Sequence, residues 1–267
     1  MNTSSVADDA TPLVLQHQKG AVAYLTLNRP AQYNALSEEM LAALVGALDT
    51  VAADPSARVV VLGGAGKAFC AGHDLKQMKS KPSLAYYRRL FADCSRLMLR
   101  IQSLPQPVIA RVHGIATAAG CQLVATCDLA IAADDARFAV SGINVGLFCA
   151  TPSVALSRNV GRKAAFEMLV TGELIDAAAA AQRGLINRSV PADALDHEVS
   201  RIAAAIAAKP RSAIAAGKAL FYRQLESGMG AAYEMAGEAM ACNMIDPSAQ
   251  EGVAAFIEKR PPNWGSD

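Results

Sequence analysis

The sequence predicts an α/β fold with mainly parallel strands, continued by a helical C-terminal part. Three observations predict it. Strand, glycine-rich loop and helix recur between residues 58 and 133. After Pro152 the strand pattern fades and helical spacing takes over. The chain of 267 residues is 52% hydrophobic and only 18% charged, enough to bury a full core. Much of that apolar fraction is alanine, which favours close helix packing over a thick aromatic core.

Leu13 to Gln18 and Ala21 to Leu27 flank Lys19-Gly20 and read as a two-stranded hairpin. Ser37 reads as an N-cap, with Glu38 and Glu39 in the first turn complementing the helix dipole. The helix carries Leu41, Leu44, Val45 and Leu48 at spacings of three and four and stops at Asp54-Pro55. Arg58 to Leu62 is a β-branched strand, followed by a loop at Gly63-Gly64-Ala65-Gly66. A helix spans about Ser83 to Ser103, bounded by Pro82 and Pro105. Pro107 to Val112 is a buried strand. Gly114 to Gly120 reads as a loop of small residues opening a helix through Cys127. Asp128 to Ala133 is again a strand. Residues 153–183 and 193–257 read as almost wholly helical, with Gly184 to Val190 as the one extended break.

Several function classes fall away. The 25 Lys+Arg balance 24 Asp+Glu, which argues against a general nucleic-acid binder. No stretch offers the roughly 18 uninterrupted apolar residues of a membrane helix. Residues 1 to 11 hold two aspartates and no Lys or Arg, so they read as a frayed tail rather than a targeting signal. The six cysteines form no CxxC pair and read as reduced thiols of a cytoplasmic protein. The four histidines show no metal-ligand spacing. Two decoys follow the 58–62 strand. Gly64-x-Gly66 lacks the third glycine of a dinucleotide fingerprint, because Phe69 stands there. Gly66-Lys67 lacks the Ser/Thr of a P-loop, because Ala68 stands there. No Gly-x-Ser-x-Gly elbow is present.

More specific are Ala68-Phe69-Cys70-Ala71-Gly72-His73-Asp74-Leu75 and, about forty residues on, Val112-His113-Gly114-Ile115-Ala116-Thr117-Ala118-Ala119-Gly120-Cys121-Gln122-Leu123. Together with Asn28-Arg29-Pro30, Asn34-Ala35-Leu36, Thr171-Gly172 and the stretch Gln250 to Arg260, they resemble the crotonase (enoyl-CoA hydratase/isomerase) family over nearly the whole chain, in order. The combination with Gly-Leu-Phe-Cys-x-Thr-Pro is similar to the "enoyl-CoA hydratase domain-containing" branch, which carries the hydratase name without the usual glutamate pair.

The resemblance implies a crotonase-like ββα spiral core over residues 13–195, after a flexible tail at 1–12. A helical trimerisation region follows at 196–267, giving a homotrimer or a dimer of trimers. It implies an acyl-CoA thioester as substrate, coenzyme A entering only as part of it, and no other cofactor, metal, nucleic acid or membrane partner. The family polarises the thioester carbonyl with two backbone N–H groups, the second at a helix start. Position match makes these the N–H of His73 and of Ala119, the latter where the family usually has glycine. It also places Gln32, Tyr33, Ala71, Asp74, Leu75, Gly120 and Asn144 beside the CoA or acyl moiety. Phe256 and Lys259 would approach from the C-terminal helix of the same or a neighbouring subunit.

The family's two catalytic glutamates fall at Gln122 and Gly142, and neither is an acid. An amide cannot take a proton near neutral pH, and glycine brings no side chain. Each lost acid–base group typically removes about 10²–10⁴-fold in rate. Standard hydration is therefore expected to be weak, with a non-catalytic acyl-CoA binder or scaffold as the alternative. The His73 ring has the right pKa class to substitute but reads as pointing toward CoA or solvent. Cys149 reads as an inert buried thiol, His113 as a hydrogen-bonded histidine, and Asp74 as a loop anchor or CoA contact. Ser141 to Cys149 is expected to line the acyl pocket.

Overall fold

The computed structural model describes residues 11–264. The tail expected at 1–12 lies outside the described residues up to residue 10, and so do residues 265–267 at the other end. The chain opens with the expected hairpin, β1 (Val14–Lys19) and β2 (Val22–Leu27), paired antiparallel with Lys19 opposite Val22. Helix α1 (Glu38–Ala53) begins where Ser37 Oγ accepts the Met40 N–H at 3.2 Å. It buries Met40, Leu41, Leu44, Ala47, Leu48 and Val51 along one stripe.

The spiral then turns. Strand β3 (Val59–Gly64) is followed by β4 (Ala68–Cys70), α2 (Leu75–Ser80) and α3 (Leu84–Ser103). Strand β5 (Val108–Val112) is followed by β6 (Ile115–Thr117) and α4 (Ala119–Thr126), and β7 (Leu129–Ala133) by β8 (Arg137–Ala139). Each turn thus gives one strand to each of two sheets. After α5 (Ala150–Asn159) and α6 (Arg162–Thr171) come β9 (Ile175–Asp176), α7 (Ala177–Gln182) and β10 (Arg188–Val190). The first sheet runs β1-β2-β3-β5-β7-β10 and is parallel from β2 onward; the second runs β4-β6-β8-β9. The three-residue strand β6 stands inside the loop read at Gly114 to Gly120, and the equally short β4 and β8 stand where the sequence showed no element. The 153–183 stretch is likewise interrupted, because Ile175 and Asp176 pair with Phe138 and Arg137.

Four helices close the chain: α8 (Leu195–Ala207), α9 (Arg211–Leu225), α10 (Met229–Met244) and α11 (Pro247–Glu258). The first sheet is covered on both faces, which is why its strands read as continuous apolar runs. Val60, Leu62, Val108 and Ala110 face the main core. Val59, Val61, Ile109 and Ile131 face Leu195, Val199 and Ala203 of α8.

Helix α9 is tied to the spiral by a buried ion pair. The Lys218 ammonium donates to the carbonyls of Ile101 (2.8 Å) and Gln106 (3.0 Å) and to Asp128 Oδ2 (2.6 Å). Asp128 also accepts from the Tyr222 hydroxyl and the Val108 N–H, both at 2.7 Å. Every polar group of the pair is engaged, the condition under which a buried pair is tolerated. Burial pushes the Lys218 ammonium down and the Tyr222 hydroxyl up. Among the described residues no helix is long and apolar enough to cross a membrane.

Candidate active site

Two chain segments meet where β4 and β6 end. The first is fixed by Asn34, which is fully buried with φ of 55°. Its amide donates to the carbonyls of Ala65 (2.9 Å) and Ala68 (2.8 Å) and accepts the Arg29 N–H (2.9 Å). Arg29 in turn donates to Asp74 Oδ2 at 3.1 Å. Asp74 caps α2 by accepting the N–H groups of Lys76 and Gln77 at 3.1 Å each. Burial works to raise the Asp74 carboxyl, but the Gln77 N–H and Arg29 outweigh it and hold it below the usual range. Asp74 is therefore a loop anchor. Between these anchors, Leu36 donates to the Gly72 carbonyl and accepts the Asp74 N–H. That bridge alternates along the chain, so the His73 N–H faces the opposite way, away from Leu36.

The second segment is the start of α4. Ala119 is its first residue, and a first-turn N–H has no partner inside its own helix. The turn is made by Ala118 at φ 50°, ψ −119°, a conformation that favours glycine. Its N–H is held by the Ala139 carbonyl at 2.9 Å, and its own carbonyl accepts the Gln122 N–H at 3.0 Å. The two segments are pressed together. A Cβ on Gly72 (φ 95°) would stand 2.9 Å from the Ala118 Cβ and 3.2 Å from the Ala119 nitrogen. A Cβ on Gly120 would stand 2.0 Å from the Cys70 carbonyl oxygen. Gly120 therefore seats α4 on β4, and it lines neither of the two cavities beside it.

Two cavities meet here and share Ala71 and Ser141. One, of about 220 Å³, is lined by His73, Leu75, Met78, Phe91, Ala118 and Ala119 on one side and by Ser141, Gly142 and Leu147 to Pro152 on the other. The second, of about 430 Å³, carries Tyr33, Ile115, Thr117, Asn144 and Leu174. Asn144 donates to the Gly172 carbonyl at 3.3 Å, so Thr171-Gly172 backs this cavity. A larger open groove of about 630 Å³ between α3 and α9 contains none of the motif residues. Among the described residues no cluster of His, Cys, Asp and Glu could hold a metal ion.

Three comparisons bear on this arrangement. Residues 17–267 match the family model described as enoyl-CoA hydratase/isomerase. The chain belongs to that family. Enoyl-CoA hydratase domain-containing protein 3, mitochondrial, of Xenopus laevis is 45% identical over 254 residues, 95% of this chain and 86% of the relative. A crystal structure of an enoyl-CoA hydratase from Mycobacterium smegmatis is 66% identical with a TM-score of 0.94, covering 95% of this chain and 99% of that one. The crystal structure of human enoyl-CoA hydratase domain-containing protein 3 is 43% identical with a TM-score of 0.92, covering 94% and 100%.

Within this crotonase fold the two positions matched to glutamates are distinctive. Gln122 sits one turn beyond Ala119 on α4, 4% exposed, with its Oε1 buried and without a hydrogen-bond partner. Gly142 lies in a 3₁₀ turn over Ser141–Val145. A Cβ there would stand 2.5 Å from the Leu147 carbonyl oxygen and 2.6 Å from Cys149 Sγ. The Gly142 N–H donates to that sulfur at 3.2 Å. The thiol thus fills the space where a side chain at 142 would start. Burial pushes the Cys149 thiol up, only partly opposed by the Gly142 N–H, so it stays protonated.

The other expected residues distribute unevenly. Ala71, His73, Leu75 and Ala119 line the first cavity, and Tyr33, Ala71 and Asn144 line the second. Gln32 ends the 3₁₀ turn Pro30–Gln32 and, like Asp74, lines neither. Phe256 and Lys259 also line neither; α11 packs on α9 and α10, and Phe256 is 85% exposed. The His73 ring nitrogens do not face solvent. It lies edge-on to Phe91 with centroids 5.5 Å apart, and both ring nitrogens are buried without a hydrogen-bond partner. His113 is hydrogen-bonded as expected: Arg111 donates to its Nδ1 at 3.1 Å, which leaves Nε2–H to donate to the Gly66 carbonyl at 2.9 Å. Met78 and Phe91 were missed by the sequence reading. Phe91 follows the buried Leu90 on α3, where the stripe alone gives no hint of a cavity.

Proposed function

We propose that this protein binds an acyl-CoA thioester and stabilises its enolate between the N–H groups of His73 and Ala119. The supporting observation is that His73 and Ala119 line one cavity, with Ala119 at the open start of α4. The larger cavity, with Tyr33 and Asn144, takes the pantetheine side of the ligand. The smaller takes the acyl chain among Leu75, Met78, Phe91 and Phe148. The α4 dipole adds to the stabilisation of the enolate oxygen.

Hydration of an enoyl-CoA is the weak activity of this site, because Gln122 and Gly142 supply no carboxylate. Coenzyme A enters as part of the substrate, with no separate cofactor. We also propose assembly into a homotrimer or a dimer of trimers. The exposed Tyr233, Ile245, Phe256 and Ile257 of the last two helices and the loop between them support this, since so much apolar surface calls for a second copy. Phe256 and Lys259 then reach CoA on a neighbouring subunit. The free cysteines suit the cytoplasm, the proposed location.

The test is acyl-CoA titration by calorimetry together with steady-state hydration of crotonyl-CoA. Binding with hydration at least about 100-fold below a glutamate-bearing family hydratase is expected. Rates within tenfold of such an enzyme would overturn the weight given to the missing carboxylates. Binding without turnover of any thioester favours the alternative, an acyl-CoA-binding scaffold, which the thiol-filled space at Gly142 supports.

A further inference from the structure

The acyl cavity holds few groups able to exchange a proton. Ser141 and Thr151 are hydroxyls that do not ionise near neutrality. The Cys149 thiol is pushed up and its sulfur accepts the Gly142 N–H. Gln122 is an amide, and Gly142 has no room for a side chain. The nearby Asp74 carboxylate is engaged by Arg29 and the start of α2, outside the cavity. The imidazole of His73 remains.

We propose that the His73 side chain moves the proton on the carbon next to the thioester carbonyl, on the same residue whose N–H serves the enolate oxygen. The proposal rests on the acyl-CoA reading above. In the step, the C–H bond breaks and its electron pair forms the enolate C=C. The thioester oxygen takes the negative charge, held by the His73 and Ala119 N–H groups, and the proton passes to a neutral ring nitrogen. Return of the proton to the same carbon exchanges it with solvent. From a β,γ-unsaturated thioester, delivery of the proton to the γ-carbon instead shifts the double bond. No oxidant, reductant or co-reactant is consumed.

The ring is suited to this. Its residue is only half-buried while both nitrogens are fully buried, so nitrogen is not what it now exposes. A half-turn about Cβ–Cγ exchanges each ring nitrogen with a carbon in place. Neither nitrogen has a partner in hydrogen-bonding geometry, and the Leu36 backbone close by is the one polar group such a half-turn would give up. Leaving them unpaired is itself unfavourable, which biases the ring toward any ligand that engages it. Burial lowers the His73 pKa below its ordinary 6.5, opposed in part by the Leu36 backbone, so the ring is neutral and able to accept at pH 7. Phe91 of α3 packs edge-on to the ring, and Leu75, Met78 and Cys149 line the same cavity, where among these only the thiol titrates.

The experiment incubates the protein with butyryl-CoA in D₂O and follows deuterium at the α-carbon by mass spectrometry. Butyryl-CoA affinity is measured in parallel. The wild type is expected to exchange, at a rate that falls as pH drops through a single group titrating below 6.5. His73→Gln and His73→Phe, assayed at butyryl-CoA concentrations that saturate each variant, are expected to lose about 10²-fold or more in exchange rate. Exchange retained within about threefold in either folded variant overturns the proposal. So does a wild type that binds butyryl-CoA without exchange, which leaves the binding reading intact. A wild type that does not bind at all overturns that reading instead.

Discussion

The two walls of the acyl cavity are built on different principles. On the β4–α4 wall the proposed functional groups are backbone N–H groups, and packing holds them: Gly120 against the Cys70 carbonyl, Gly72 against Ala118. On the 141–149 wall the functional group of the family is a side chain, and here nothing can attach at Gly142 because Cys149 and Leu147 occupy the space. Backbone chemistry is locked by the contacts that fold the protein, and losing it means unfolding. Side-chain chemistry can be dropped by a single substitution and the space reused. On the proposed reading, this is how the chain keeps a thioester-binding frame without the carboxylates.

The largest effect that sharpens this contrast is expected from Gly120→Ala. Its methyl would collide with backbone rather than with a yielding side chain, so destabilisation of about 3 kcal/mol or more is expected. Urea unfolding and loss of acyl-CoA binding check it, and a stable, ligand-binding variant would break the account of the first wall. The second test carries carboxylates back, as Gln122→Glu with Gly142→Glu. No gain of crotonyl-CoA hydration is expected, with stability lowered by about 1–3 kcal/mol. A hydratase emerging from that double variant would mean the 141–149 turn re-forms easily.

A smaller effect follows from Ala118→Gly. The left-handed backbone at 118 is relaxed by glycine, so stability is expected to rise by about 0.5–1 kcal/mol. The same change frees the peptide that carries the Ala119 N–H, and affinity for acyl-CoA is expected to fall severalfold by calorimetry. The smallest effect is on pH dependence. The His73 value in the folded chain lies below 6.5, so between the two values the unfolded chain binds the proton and the folded chain does not. Stability therefore rises with pH across that window and levels off above it. His73→Phe is expected to flatten this slope in urea titrations from about pH 5 to about pH 8.

Long periodic elements were legible in the sequence. The Ser37 cap, the α1 stripe and the α3 helix between prolines stand where spacing puts them, and so do β3, β5 and β7, the three strands after the hairpin that are five or six residues long. The strands β4, β6 and β8 were not legible, because three residues such as Ile115-Ala116-Thr117 are too few to show a period of two. Yet these short strands deliver His73 and Ala119 to one place. The family resemblance supplied the two proposed donors and the two positions matched to glutamates. The plug at Gly142 was hidden because it depends on a 3₁₀ turn bringing Cys149 back seven residues later. The burial of the His73 ring was hidden because it depends on Phe91, a partner from another helix.

The Lys218–Asp128 pair has a consequence for how the chain is made. Its partners stand 90 residues apart, so at about 5–20 residues per second Asp128 waits on the order of ten seconds on the ribosome before its ammonium emerges. Until then the spiral holds a carboxylate with only the Val108 N–H to satisfy it. A nascent chain stalled before α9 is therefore expected to present an unfinished interior to the cell's chaperones, and α9 to arrive as the piece that seals it.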